Sequence, residues 1–291
     1  VGSSIAFLCA VNSLDNIVML NRTKSKALGE ALDISNAIPK NSDYTVKGTD
    51  DYSEIKESDI IIVAASTGVY LKNRNEMIDA QVSMIKQIGK KIKENCTSPI
   101  TLIVSNPIDV LTYFFQKETK FPREKVIGIA SSLDSSRFRF LLSKYLNIKN
   151  TQISNSIVLG EHGDSMVPIF SKVKINDKVG LEMIEPELRN KISIEIRDYW
   201  KSLRNFKSRS QFGIAKNTFD VIKSISSKKE ISIPASILLK GEYGQSDVCM
   251  GVPVSITKDG VSQIQHIDLD KQETESLNLS ADAIRNNINS I

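Results

Sequence analysis

The run Leu159-Gly160-Glu161-His162-Gly163-Asp164-Ser165 sets a histidine between glycines directly after the apolar stretch 157–159. Glycines beside a polar side chain at a strand end let the backbone turn sharply and let a ligand come close. An imidazole, ionising near neutrality, can exchange a proton with a carbonyl oxygen as hydride arrives at its carbon. Read by itself, His162 also fits an ordinary turn. The chain's one other histidine, His266, falls in a predicted late strand and reads as structural. Leu133-Asp134-Ser135-Ser136-Arg137-Phe138 places a carboxylate and a guanidinium three residues apart at a predicted helix start. Either Asp134 caps that helix and pairs with Arg137, or the two point separately into a cleft. In the cleft Asp134 orients His162 and favours its protonated form, and Arg137 grips a carboxylate through two parallel hydrogen bonds.

Two further segments end predicted strands. In Val104-Ser105-Asn106-Pro107 the proline stops a buried strand and exposes Asn106 at its carboxyl end. The polar tip of the stretch from Ser66 to Arg74 suits a flap that carries Arg74 over a site, and either segment also reads as a mere connection. At the start, Gly2 opens an apolar helix and fits the last glycine of a dinucleotide-binding turn, although a chance helix-start glycine reads as well. The next strand ends on Asn21-Arg22, where an acid normally meets the adenosine ribose. A neutral amide beside a guanidinium suits a 2′-phosphate instead; both residues also read as the opening of a polar loop.

Buried strands must carry these residues. Short β-branched runs predict them at 16–20, 59–64, 100–104 and 126–130. Helical spacing fills the intervals, notably Glu76 to Glu94 and Ile108 to Glu118. The alternation predicts a parallel sheet with helices on both faces and ligands at the carboxyl ends of its strands. Beyond about residue 132 the texture changes. One long helix is expected from Pro186 to about Phe206 and another over 210–225. Strands follow at 231–239, 248–256 and 261–267, then a final helix over 272–288.

The 291 residues, 41% hydrophobic and 25% charged, describe an ordinary folded chain of two packed domains or one large α/β unit. The net charge of +4 is scattered, which argues against a nucleic-acid surface, and no apolar run is long enough for a membrane span. Cys9, Cys96 and Cys249 lie far apart in no metal-ligand or redox spacing, so no metal site and a reducing, cytoplasmic setting are expected.

Together these segments resemble the lactate and malate dehydrogenase family. The resemblance rests on Gly-Glu-Ala-Leu-Asp-Ile at 29–34, Ser-Asn-Pro-Ile-Asp-Val-Leu-Thr-Tyr at 105–113 and Val-Ile-Gly at 126–128. It continues through Leu-Asp-Ser-Ser-Arg-Phe-Arg at 133–139, Gly-Glu-His-Gly-Asp-Ser-Met-Val-Pro at 160–168, Gly-Glu-Tyr-Gly at 241–244 and Gly-Val-Pro-Val at 251–254. It implies an α/β fold: a Rossmann-type doubly wound parallel sheet over 1–131, then an α+β catalytic domain over 132–291. The implied reaction passes hydride between NAD or NADP and C2 of a small L-2-hydroxy acid. By matching position His162 is the acid/base, Asp134 its partner, Arg137 the carboxylate clamp and Arg74 the group polarising the carbonyl. Asn106 donates a hydrogen bond in the pocket, Gly68 and Ser210 line the substrate, and Gly2, Asn21, Arg22, Ala64 and Asn106 meet the cofactor. The family also implies a homodimer or homotetramer.

Three departures modify this expectation. The first strand and most of the glycine turn are missing, so the chain reads as amino-terminally truncated and two strands lose a neighbour. Asn21-Arg22 points to NADP, as in archaeal-type malate dehydrogenases. Gly68 stands where the family places Arg for malate or Gln for lactate. Ser210, the Gly-Asp-Ser-Met-Val-Pro run and a second positive charge at Lys72 favour malate and oxaloacetate. Lactate or a bulkier 2-hydroxy acid is the alternative substrate, and a non-catalytic dinucleotide-binding protein the alternative function.

Overall fold

The computed structural model describes residues 1–67 and 74–291, the latter without the side chains of 74–77. Gly68 and Lys72 lie outside the described residues. The chain opens with α1 (Gly2–Val11), whose Ile5, Ala6, Cys9 and Ala10 form a buried stripe. Then come β1 (Ile17–Leu20), α2 (Lys24–Ser35), β2 (Val46–Thr49), β3 (Ile60–Val63) and α3 (Arg74–Asn95). β4 (Ile100–Ile103), α4 (Ile108–Thr119) and β5 (Val126–Gly128) complete this half. The apolar spacing read in α3 is the buried one, with Ile78, Val82, Ile85 and Ile92 facing inward.

Every strand read in this half is present. β2 was not anticipated, because Val-Lys-Gly-Thr carries no apolar run. Packing defines it instead: a Cβ on Gly48 would lie 2.4 Å from the Ala27 carbonyl oxygen, so only glycine lets α2 seat this close. β1 and β2 pair in parallel, as do β3, β4 and β5. Among the described residues β1 and β3 are not paired with each other, and each is an edge.

The second half begins with α5 (Ser131–Leu146). Short strands follow: β6 (Ile153–Ser154), β7 (Ile157–Leu159), β8 (Val167–Ile169), β9 (Lys174–Ile175) and β10 (Lys178–Val179). The helix expected over 186–206 is two, α6 (Pro186–Arg197) and α7 (Tyr199–Arg204), because Asp198 leaves helical geometry with ψ near 3°. α8 (Phe212–Ser226), β11 (Ile231–Lys240), β12 (Ser246–Thr257), β13 (Gly260–Ile264) and α9 (Lys271–Asn289) close the chain. Asp270 and Glu273 form a capping box at the start of α9.

One expectation changes. β13 ends at Ile264, so His266 lies beyond it; the chain turns toward Tyr243, whose hydroxyl donates to Gln265 O and accepts from Ile267 N. The imidazole is exposed beside the Tyr243 ring, with centroids 5.5 Å apart. The two halves also share a sheet. β11 runs antiparallel to β5 at Ser236 and Gly128, giving one six-stranded sheet in the order β13-β12-β11-β5-β4-β3. Gly128 permits this, since a Cβ there would lie 2.8 Å from Ser236 Cβ. One apolar core spans the join, from Leu102, Ile127 and Ile129 to Ile237, Met250 and Val252.

Candidate active site

His162 stands on the loop that leaves β7. Gly160 turns the chain at φ +85°, where a side chain would be strained and would also strike Ser280 Oγ. Gly160 and Gly251 of β12 exchange backbone hydrogen bonds of 2.9 and 3.0 Å, which fixes the loop to the sheet. From there the His162 ring reaches α5: its Nδ1 lies 2.5 Å from Asp134 Oδ2. Its backbone N–H donates to Asp109 Oδ2 of α4 at 2.8 Å.

The pairing of Asp134 with Arg137 is present, and the same carboxylate also meets His162, so the two side chains do not point separately; the cap is not formed. Asp134 is 1% exposed; Oδ2 meets the imidazole while Oδ1 accepts from Arg137 Nη1 at 3.0 Å. Ala130, not Asp134, occupies the cap position of α5. Arg137 is buried, and its guanidinium carbon sits 4.8 Å from the Tyr199 ring centroid. Burial of the His162 ring works against protonation, but the Asp134 carboxylate outweighs it and raises the proton affinity above the ordinary value. Arg137 pulls the same way as burial, and Asp109 assists Asp134.

Asn106 is exposed just past β4 and three residues before Asp109. Ser105 beside it donates its hydroxyl to Val63 O and Ala65 O at 3.2 and 2.7 Å, tying the ends of β3 and β4 together. Ser210 precedes α8, whose first turns lie against α5 through Gly213 at Leu133 and Asn217 at Ser136. Arg74 is the first residue of α3, but its side chain lies outside the described residues, as does all of Gly68.

α1 begins without any side-chain cap, so its first backbone N–H groups are not taken by a capping side chain. Gly2 lies against Ala64 just past β3: a Cβ on Gly2 would meet Ala64 Cβ at 3.6 Å, an ordinary contact. Close helix packing therefore does not demand glycine there, and the N–H groups of a helix start suit a phosphate. Asn21 and Arg22 are exposed at the end of β1. These residues fit a bound dinucleotide.

The residues alone did not single out Asp109 or Tyr199. Asp109 left one signal, an acid set between Ile108 and Val110 on the apolar face of a helix. Tyr199 left none, because its place over Arg137 follows from the break at Asp198.

Fold and site together define an α/β oxidoreductase of the dinucleotide-binding kind. The chain belongs to the lactate/malate dehydrogenase family: the NAD binding domain model matches residues 1–128 and the alpha/beta C-terminal domain model residues 131–291. It is 34% identical to a malate dehydrogenase of Pelagibacter ubique, over 98% of this chain and 92% of that one. Its backbone is similar to malate dehydrogenase from Aeropyrum pernix, with TM-score 0.93, 27% identity and coverage of 99% and 94%. It is equally similar to Cryptosporidium parvum lactate dehydrogenase complexed with lactic acid and nicotinamide adenine dinucleotide, with TM-score 0.93, 28% identity and coverage of 99% and 93%.

Proposed function

We propose that this chain interconverts a small L-2-hydroxy acid and its 2-keto acid, with malate and oxaloacetate the favoured pair. The observation that carries the reading is the chain of contacts from His162 through Asp134 to Arg137. When bound, the nicotinamide supplies or accepts the hydride at C2. With Nδ1 turned to Asp134, the imidazole offers Nε2 to the substrate oxygen and gives it a proton in the reducing direction. Asp134 stabilises the imidazolium before transfer. Arg137 binds the substrate carboxylate, its plane steadied by Tyr199. Arg74 polarises the carbonyl and Asn106 donates to it, with Gly68 and Ser210 beside the substrate side chain. The division of labour is a dinucleotide-binding part over 1–131 and a substrate part over 132–291.

For the cofactor, Gly2 and the start of α1 hold the pyrophosphate, with Ala64 and Asn106 alongside. NADP is the form we favour. Asn21 Oδ1 already accepts from Thr23 N at 2.9 Å, so the amide presents its donors, which suit a phosphate oxygen, and Arg22 adds charge. Asn21→Asp is expected to move the ratio of kcat/KM toward NADH; an unchanged ratio removes the argument. The reaction is tested by following NADPH and NADH oxidation with oxaloacetate, pyruvate and 2-ketoisocaproate. His162→Asn should abolish most turnover in a folded protein. Nucleotide binding with no turnover of any keto acid would overturn the reading in favour of a non-catalytic binder.

We also favour a homo-oligomer and a cytoplasmic setting. α1 packs on both α2 and α8, and these three helices expose Phe7, Leu28, Leu32 and Phe212. All three cysteines are buried free thiols, which suits a reducing compartment. Among the described residues no helix is long and apolar enough to cross a membrane.

A further inference from the structure

Asp109 is a carboxylate 3% exposed, in the first turn of α4 and three residues after Asn106. Both of its oxygens are engaged, and by different parts of the fold. Oδ2 accepts the His162 backbone N–H at 2.8 Å; Oδ1 accepts the Ser236 hydroxyl of β11 at 2.6 Å. A carboxylate so placed joins the strand-end segment bearing Asn106, the loop bearing His162 and the antiparallel half of the sheet. Burying a charge is costly, and here burial outweighs the two hydrogen bonds and raises the proton affinity of the carboxyl, so an acid at this position needs a reason beyond packing.

We propose that Asp109 is a second positioning carboxylate for His162, holding the histidine's backbone against α4 and β11 while Asp134 holds its ring. This rests on the dehydrogenase reading only for its effect on turnover. Without Asp109 the loop keeps its anchor at Gly160 and Gly251 but loses the one at His162 itself, so Nε2 is no longer held at a fixed distance from the Asn106 segment. The carboxylate also acts through charge. His162 is faced by Asp134 and Arg137 from α5 and by Asp109 from α4; Asp109 is faced by Glu161 of the same loop as well as by His162, and lies near Cys249 of β12. From β11 comes only the neutral Ser236, and α9 presents Ser280 to the Glu161 backbone. With His162 protonated, the two aspartates are balanced by imidazolium and guanidinium. Removing Asp109 leaves Asp134 alone against both, and the histidine holds its proton less tightly.

The test compares Asp109→Asn, which keeps an acceptor for the His162 N–H and removes the charge, with Asp109→Ala, which removes both. The chain has two histidines, so ¹⁵N-histidine NMR resolves the His162 ring directly, with His266 as internal reference. In both variants His162 should titrate at lower pH than in the unaltered chain. Turnover should separate them: kcat of Asp109→Ala falls about tenfold or more with the cofactor KM within about twofold, and Asp109→Asn recovers most of that loss. The proposal is overturned if the His162 titration is unmoved in Asp109→Asn, or if the two variants turn over equally. Should Asp109→Ala fail to fold, Ser236→Ala replaces it, with an intermediate loss of kcat expected and an unchanged kcat counting against the proposal. Because the titration needs no substrate, absence of all turnover counts against the dehydrogenase reading alone.

Discussion

In the proposed reaction His162 is the group through which pH reaches the chemistry. Its proton affinity is raised by Asp134 against the opposition of burial, so the protonated form that reduction needs persists above the ordinary 6.5. Plotted as kcat/KM, keto-acid reduction is expected to hold level at low pH and fall once pH passes that raised value, while hydroxy-acid oxidation rises over the same range. Asp134→Asn should move that limb to lower pH and cost on the order of 10²–10⁴ in kcat. A limb that stays in place means that Asp134 does not tune the histidine. Stability follows a linked rule. Burial pushes Asp109 from 3.8 to about 6, so the folded state binds its proton more tightly than the unfolded chain does. Stability from this group is therefore present below the ordinary carboxyl range and is lost as pH climbs through about 6. The thermal midpoint of Asp109→Asn relative to the unaltered chain should therefore rise between pH 4 and pH 7. A difference that is flat with pH refutes that assignment. An acid kept ionised at a cost to the fold is what a positioning role requires.

Among the elements, the pair Gly160 and Gly251 decides where His162 stands. A Cβ on Gly251 would lie 2.0 Å from Ser131 Oγ and 2.9 Å from Gly160 O. Gly251→Ala must push either α5 or the β7 loop aside, and should destabilise by roughly 2–4 kcal/mol in denaturant titrations, with a loss of kcat in the folded fraction. An unaffected midpoint means the contact relaxes at no cost. α3, β4 and α4 announce themselves because burial imposes apolar spacing on contiguous residues, and His162, Asp134 and Arg137 because their residue types stand out where the chain turns. β2 is short and polar and exists through its fit to α2. The break at Asp198 is a backbone event with no proline or glycine to mark it. The junction of β5 and β11 joins residues more than a hundred positions apart, and no local pattern carries it.

At the scale of the molecule, apolar side chains are left on the outside as well as inside. Leu32 and Phe212 are 72% and 70% exposed, on helices that both pack against α1. If this side is covered in an oligomer, the double variant Leu32→Glu, Phe212→Ser should elute from a sizing column at a smaller mass than the unaltered chain, with its helix content intact by circular dichroism. A chain that is monomeric from the outset removes the proposal.

The single sheet from β3 to β13 also restricts how the molecule can move. A substrate cleft between two bodies closes by rotation about a hinge, and such a hinge is usually an exposed stretch with few contacts. Here the passage from β5 to α5 runs through Ile129 and Ala130, both buried, with Ile129 N bonded to Ile103 O at 2.9 Å. The strands on either side are hydrogen-bonded across that passage. The frame is therefore a continuous beam without a joint at that point. Paired spin labels on α3 and α6 should therefore report the same separation with and without bound keto acid and cofactor.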